Sequence, residues 1–118
     1  MIYLASPYSH PDQAVVEQRV LQTMELFHYL CEYSPDRAIF SPILQCHETA
    51  KNFKMPTDAK FWQDYNTGFL RIASKVVVAC LPDWEQSLGV KQEVELALQL
   101  GIEVSYQSHH SASFGQAW

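Results

Sequence analysis

The chain has 118 residues, of which 47% are hydrophobic, and its 8 basic and 13 acidic side chains give a net charge of −5. This length predicts one compact domain, and the acidic balance argues against a polymeric nucleic acid as partner. The three cysteines are widely spaced and no apolar run approaches the ~18–20 residues of a membrane span, so we expect a cytoplasmic protein with reduced thiols and no membrane contact.

The chain begins with a short apolar run followed by a loop. Residues 2–5 predict a buried strand, and residues 6–10 are rich in turn formers. Pro11 suits the first position of a long helix, capped by Ser9 or His10. The apolar positions of this helix recur every three or four residues and predict its core-facing side, which consists of Val16, Val20, Met24, Phe27 and Cys31.

The middle of the chain predicts a second strand, an irregular segment and a second helix. Residues 38–40 form the predicted strand, whereas residues 43–56 have no regular pattern and predict a long loop that contains at most a helical turn. Thr57 and Asp58 are expected to open a helix that ends near Ala73. The predicted inner face of that helix consists of Phe61, Trp62, Tyr65, Phe69, Ile72 and Ala73.

The last third of the chain contains the strand predicted to lie at the centre of the sheet. Residues 76–81 are apolar throughout, which is typical of a parallel strand buried on both faces. A polar loop leads from this strand into a helix from about Leu88 to Leu100, and residues 102–104 predict a last strand.

Alternating strands and helices indicate βαβ units. We therefore expect residues 1–106 to form one flavodoxin-like or Rossmann-like three-layer α/β domain with a four- or five-stranded, mostly parallel sheet, followed by a polar tail at residues 107–118. In such sheets ligands bind beyond the carboxyl ends of the strands. The polar loops at residues 6–10 and 82–89 are therefore the predicted site.

Glu93 is the acidic side chain that fits its surroundings least. Its helical neighbours three and four positions away are uncharged and lack side-chain donors, whereas Glu95 has polar neighbours. A carboxylate near a helix start and at the edge of an apolar stripe can act as a nucleophile or as the electrostatic partner of a sugar cation. The alternative is a partly exposed glutamate paired with a cation from elsewhere in the fold.

Ser87 stands just before the same helix and has two interpretations. A serine at this position is a common helix N-cap. The free N–H groups of a helix start, a hydroxyl and the small residue Gly89 also suit a bound phosphate.

Two further side chains are candidates for contacts with a ligand. His47 lies in the predicted loop and is expected either to line the ligand pocket or to be a surface histidine. Trp84 is expected to stack on a base, to contact a partner subunit or to cover the core. Cys46 and His47 lack a second ligand pair, so no metal site is expected. No GxGxxG or Walker loop follows the first strand, so no dinucleotide or ATP cofactor is expected.

Residues 87–97 resemble the serine–x–Gly–x–x–x–Glu helix start of the nucleoside 2-deoxyribosyltransferase superfamily, most closely its branch of nucleoside 5′-monophosphate N-glycosidases. Residues 2–9 are similar to its first strand and substrate loop, and residues 81–87 to a signature of small bacterial and phage members. The resemblance implies that Glu93 is the catalytic carboxylate and that Tyr3 orients it.

The resemblance also implies how the substrate is held. Ser87 takes the place of an aspartate that holds the free 5′-hydroxyl in the transferases, whereas the monophosphate hydrolases carry serine there. An aspartate would repel a 5′-phosphate, and a serine can donate to it. The loop residues Ser6, Tyr8 and Ser9 match the region that lines the sugar and phosphate pocket.

The sequence departs from the family at one position. The family has an aspartate on the helix before the central strand that contacts or protonates the base, and Asn66 takes its place here. An asparagine can hydrogen-bond a base but cannot supply a proton. The nearby Asp64 has the polar neighbours of an exposed face. Either the acid comes from elsewhere, the leaving group needs none, or the protein is slow or inactive.

The resemblance thus implies hydrolysis of the N-glycosidic bond of a (deoxy)nucleoside 5′-monophosphate, without metal or organic cofactor, by a homodimer or larger assembly. Three alternatives stay open: transfer of deoxyribose between bases, a non-catalytic nucleotide-binding or sensing module, and a purely structural protein.

Overall fold

The computed structural model describes residues 1–35, 38–56 and 59–109. Within these ranges four parallel strands form one sheet in the order β2-β1-β3-β4. The strands are Ile2–Ala5 (β1), Ile39–Phe40 (β2), Lys75–Cys80 (β3) and Glu103–Ser108 (β4). The helices are Gln13–Tyr33 (α1), Pro42–Phe53 (α2), Ala59–Leu70 (α3) and Leu88–Gln99 (α4). The predicted three-layer α/β fold with a parallel sheet is confirmed.

The two faces of the sheet carry separate cores. Because successive side chains of a strand point to opposite faces, Ile2 and Leu4 of β1 pack towards α1, where they meet Leu26 and Leu30. Tyr3 and Ala5 point the other way, and this second core consists of Tyr3, Ala5, Leu70, Ala73, Val76, Val78, Val90 and Ala97. Since α3 and α4 cover the second core, the side chain of Tyr3 is directed towards these helices.

Helix α1 begins at Gln13, two residues later than predicted, and neither Ser9 nor His10 caps it. Asp12 is its N-cap, and its carboxylate accepts a hydrogen bond from the backbone N–H of Ala14 at 2.9 Å. Val16 and Val20 face the core as expected, but Met24 is 51% exposed. At 3.6 residues per turn a stripe spaced by four drifts off the buried face, which continues instead through Thr23, Leu26 and Leu30.

The prediction of a loop at residues 43–56 was wrong, because α2 occupies most of this segment. The side chain of Ser41 caps the helix by accepting from the backbone N–H of Leu44 at 3.2 Å, and Pro42 stands at its first position. Lys54 ends the helix in the left-handed conformation, with φ of 51°. This helix forms a wall of the site described below.

Helix α3 is shorter than predicted and its inner face differs. Thr57 and Asp58 lie outside the described residues. Ile72 lies beyond the helix end and is 70% exposed, whereas Leu70, not named in the predicted face, is 1% exposed and joins the second core.

The last strand is longer than predicted, because β4 continues to Ser108 across the expected start of the polar tail. Residues 110–118 lie outside the described residues.

None of the helices in the described ranges combines the length and the apolar character needed to cross a membrane.

Candidate active site

A cavity of about 1200 Å³ opens at the carboxyl edge of the sheet. The loops that follow β1 and β3 meet there, and helices α1, α2, α3 and the start of α4 complete the walls. Loops at this edge are where parallel sheets bind ligands. Nine predicted site residues line the cavity: Tyr3, Ser6, Tyr8, Ser9, His47, Asn66, Ser87, Gly89 and Glu93.

Tyr3 and Glu93 form a direct hydrogen bond in the wall of the cavity. The Tyr3 hydroxyl donates to Oε2 of Glu93. Tyr3 is fully buried in β1, and Glu93 is partly buried in the second turn of α4. The tyrosine is held by the sheet and by Phe40, whose ring centroid lies 5.9 Å from its own. A buried side chain of β1 therefore holds one oxygen of the Glu93 carboxylate in place.

The surroundings of this pair change its acid–base properties. Burial raises the pKa of Glu93 to about 7, and the hydrogen bond from Tyr3 partly offsets this rise. Burial and the adjacent Glu93 carboxylate raise the pKa of Tyr3 well above its ordinary value of 10.0. Tyr3 therefore stays a donor, while Glu93 is divided between its ionised and protonated forms near neutral pH.

The start of α4 confirms the capping role of Ser87. Its Oγ accepts a hydrogen bond from the backbone N–H of Val90 at 3.3 Å. A Cβ built on Gly89 would meet only the Ser87 hydroxyl, at 4.0 Å. Packing within the described chain therefore does not require glycine at this position, and the helix start is open to the cavity.

The loop after β1 is anchored by a buried arginine that was not predicted from the sequence. Arg19 is 8% exposed, and its Nη1 donates to the backbone carbonyls of Ser9 at 2.8 Å and Tyr8 at 3.4 Å. In the sequence, the position of Arg19 three residues after Val16, on the buried stripe of α1, was the pattern that could have indicated its burial. Ser6, at the start of the loop, is 7% exposed, and its hydroxyl has no hydrogen-bond partner among the described residues.

His47 is a buried side chain on α2, so its interpretation as a surface histidine was wrong. It is 4% exposed and lines the cavity. Its Nδ1 lies 2.7 Å from the Tyr8 hydroxyl, and its Nε2 lies 3.2 Å from Oε1 of Glu17. Glu17 in turn pairs with Lys51 at 3.3 Å. Neither Glu17 nor Lys51 was among the side chains predicted from the sequence.

Helix α3 contributes Asn66 and Trp62 to the cavity wall. Oδ1 of Asn66 is buried and lacks a hydrogen-bond partner within the described ranges. Trp62, predicted to belong to the core, lines the cavity one turn earlier, and its indole N–H donates to the Pro56 carbonyl at 2.7 Å. Asp64 is exposed and pairs with Lys60 at 3.1 Å, as its neighbours predicted.

Trp84 is the predicted site residue that the structure places elsewhere. It does not line this cavity; its ring lies 5.5 Å from that of Tyr106 and packs against the second core. A helical turn, Trp84–Gln86, directs the side chain towards β4. This position agrees with the interpretation that Trp84 covers the core.

The part of the chain that the structure describes contains no cluster of three or more histidine, cysteine, aspartate or glutamate side chains that could hold a metal ion. The cavity presents the Glu93 carboxylate, whose pKa is raised, and the buried His47 hydrogen-bonded to Tyr8. Several hydroxyl and amide groups complete its polar lining.

Comparison with known protein families gives one family model for this chain. It is described as "Domain of unknown function (DUF1937)" and matches residues 1–109. No curated protein matches the chain significantly. The match spans nearly the whole chain and includes both loops of the cavity and every residue named in its walls. The chain belongs to the DUF1937 family of domains of unknown function.

Proposed function

We propose that this protein hydrolyses the N-glycosidic bond of a (deoxy)nucleoside 5′-monophosphate, with Glu93 as the carboxylate that meets the anomeric carbon. The observation that carries the proposal is the hydrogen bond from Tyr3 to Glu93 in the wall of a cavity at the carboxyl edge of the sheet. The resemblance of residues 2–9 and 87–97 to the nucleoside 2-deoxyribosyltransferase superfamily supports it independently.

A partly desolvated carboxylate suits this reaction. As the base departs, positive charge develops at C1′, and a carboxylate in a low-dielectric cavity interacts with that charge more strongly than one in water. Tyr3 occupies one oxygen of Glu93, so the other oxygen is the one offered to C1′. The volume of about 1200 Å³ exceeds that of most small-molecule pockets and is sufficient for a nucleotide.

Several donors in the same cavity favour a phosphorylated substrate. Ser87 and the open helix start at Gly89 provide a hydroxyl and backbone N–H groups, which are suited to an anion. Arg19 adds positive charge to the walls, and the charge of Lys51 is shared with Glu17. The acidic Asp83 also lines the cavity, so the hydroxyl and N–H donors at the start of α4 are the groups proposed to hold the phosphate.

We further propose that a second copy of the chain closes the open side of the cavity. Leu88 lines the cavity at the start of α4 and yet is 61% exposed. An exposed apolar side chain at the rim of the cavity suits a subunit contact. Sedimentation analysis of the wild type and of Leu88→Lys tests this point: a dimer that the lysine weakens supports it, and a monomeric wild type contradicts it.

The experiment for the main proposal is a liquid-chromatography screen. Ribo- and deoxyribonucleoside 5′-monophosphates of each common base are incubated with the wild type and with Glu93→Ala, and released base is measured. We expect release of base from at least one nucleotide by the wild type and none by the variant. Absence of release from every nucleotide by the folded wild type would reject the proposal.

Asn66 favours one second candidate, a nucleotide-binding module without catalysis, because it removes the acid that the resemblance leads one to expect. Calorimetric binding of a nucleotide without base release would select it. Transfer of deoxyribose between bases uses the same chemistry as the main proposal. Addition of a second free base to the screen would reveal transfer as a new nucleotide.

A further inference from the structure

Three side chains form a hydrogen-bonded series from the cavity to the protein surface. The Tyr8 hydroxyl lies 2.7 Å from Nδ1 of His47, and the opposite ring nitrogen, Nε2, lies 3.2 and 3.3 Å from the two carboxylate oxygens of Glu17. Tyr8 and His47 line the same cavity as Glu93. The side chain of Glu17 is 42% exposed, so the outer end of the series reaches solvent.

We propose that Tyr8, His47 and Glu17 are a proton relay that protonates the base as it leaves. This inference rests on the glycosidase function proposed above. It assigns the acid to the wall formed by the β1 loop and α2 and not to Asn66, whose amide cannot supply a proton.

The hydrogen-bonding capacities of the three groups define how the relay works. The Glu17 carboxylate only accepts, so Nε2 of His47 carries a hydrogen. When His47 is neutral, its Nδ1 accepts from the Tyr8 hydroxyl. When His47 is protonated, Nδ1 donates to the Tyr8 oxygen instead, and the phenolic hydrogen of Tyr8 is free to point into the cavity.

The charged groups around the relay favour this arrangement. Hydrogen bonds from Gln13 and Lys51, together with the nearby His47, lower the pKa of Glu17, which therefore stays ionised beside the imidazole. Burial raises the pKa of Tyr8, and the nearby Glu17, Cys46 and Glu48 raise it further. Tyr8 therefore stays protonated near neutral pH, and it gives up its proton only as it takes another from Nδ1 of His47.

The proposed steps balance in protons and electrons. The C1′–N bond breaks and its electron pair goes to the base nitrogen, which takes the Tyr8 proton while Tyr8 takes the proton from Nδ1 of His47. The sugar cation is stabilised by, or bonded to, the Glu93 carboxylate. Water then adds to C1′ and releases one proton, and His47 regains one proton from solvent past the exposed edge of Glu17.

A purely structural role predicts different behaviour. If His47 only held Tyr8 and the β1 loop in place, its loss would disturb every substrate to the same extent. A general acid is needed only when the leaving group is a poor one. The distinguishing measurement is therefore the dependence of the rate on the leaving group.

The experiment compares two substrates. The first is the 5′-monophosphate that the wild type cleaves best, and the second is the 4-nitrophenyl glycoside of the same sugar 5-phosphate, whose nitrophenolate departs without a proton. The variants are Tyr8→Phe and His47→Asn, and His28→Asn is the matched control, because His28 is exposed on the outer part of α1. Glu17→Gln, at a partly exposed position, serves as a further variant if either of the first two is unfolded by circular dichroism.

We expect Tyr8→Phe and His47→Asn to lower kcat/KM on the nucleotide by about 100-fold or more, and by at least about 30-fold more than on the nitrophenyl substrate. Glu17→Gln should also slow the nucleotide reaction more than the nitrophenyl reaction. His28→Asn should change neither rate. Equal losses on both substrates, or no loss on either, would overturn the relay while Glu93→Ala still tests the glycosidase itself. A wild type that is inactive on both substrates would reject the relay together with the proposed function.

Discussion

The phenol of Tyr3 and the carboxylate of Glu93 meet across 90 positions of sequence. Tyr3 belongs to the strand next to β3 in the sheet, and its side chain points to the face covered by α3 and α4. Glu93 lies on the face of α4 that meets this core, between the buried Val90 and Ala97. The contact joins a buried interior strand of the sheet to the cavity, so the carboxylate is positioned by a strand and a helix and not by a loop.

The raised pKa of Glu93 predicts that this residue lowers stability at alkaline pH. Its pKa is about 7 in the folded protein against an ordinary 4.5, so the folded state binds the proton more tightly than the unfolded chain does. The free energy of unfolding should therefore fall as pH rises from about 4.5 to about 7 and level off above that range. Glu93→Gln removes this dependence.

Thermal melts at pH 5 and pH 8 measure the effect. We expect Glu93→Gln to melt at a higher temperature than the wild type at pH 8, with a smaller gain at pH 5. Glu95→Gln, an exposed change on the same helix, is the control and should show no such difference. An equal gain at both pH values would contradict the raised pKa.

Tyr3→Phe should move the pH dependence of catalysis. The Tyr3 hydroxyl stabilises the ionised Glu93, so its removal raises the pKa of that carboxyl further. A hydrogen bond to a charged group contributes roughly 1.5–3 kcal/mol, which corresponds to about 1–2 pH units. If the ionised form is the active one, the rising limb of kcat/KM should shift to higher pH by this amount. The proposed role of Tyr3 fails if the limb stays in place while the rate drops.

Ser87→Asp separates the capping role of Ser87 from its proposed contact with phosphate. Aspartate is as good an N-cap as serine, so the melting temperature should change little, whereas Ser87→Ala should cost about 1 kcal/mol of stability. The new carboxylate should repel a 5′-phosphate, so KM for the monophosphate should rise about tenfold or more while the unphosphorylated nucleoside is unaffected. Equal effects on the two substrates would remove Ser87 from the phosphate site.

The sheet and most of the helices could be predicted because they depend on local patterns. The apolar run in β3 and the apolar spacing in α1 identify those elements without knowledge of their neighbours. Helix α2 was missed because it buries only Pro42 and His47, too few residues to give an apolar stripe. The Ser41-Pro42 pair, a cap followed by a first-turn proline, was the local signal for its start.

Most of the side chains in the candidate site could be predicted from the sequence, but most of the contacts between them could not. The uncharged neighbours of Glu93 marked that side chain as unusual, and the resemblance implied its contact with Tyr3. The pair of His47 with Glu17 depends on how α1 packs against α2, which no spacing in the chain encodes. The sequence left three roles of Trp84 open for a similar reason, because its contact with Tyr106 depends on a strand that continues beyond its predicted end.

The most direct test of the account is the rate of base release by Glu93→Gln beside Glu95→Gln at pH 7, on the nucleotide that the screen identifies. Both changes remove one carboxylate from α4, one at the cavity wall and one on an exposed face. We expect Glu95→Gln to release base at the wild-type rate and Glu93→Gln to be slower by at least about 1000-fold, as for the loss of an essential catalytic group. Similar rates for the two variants would contradict the central role of Glu93.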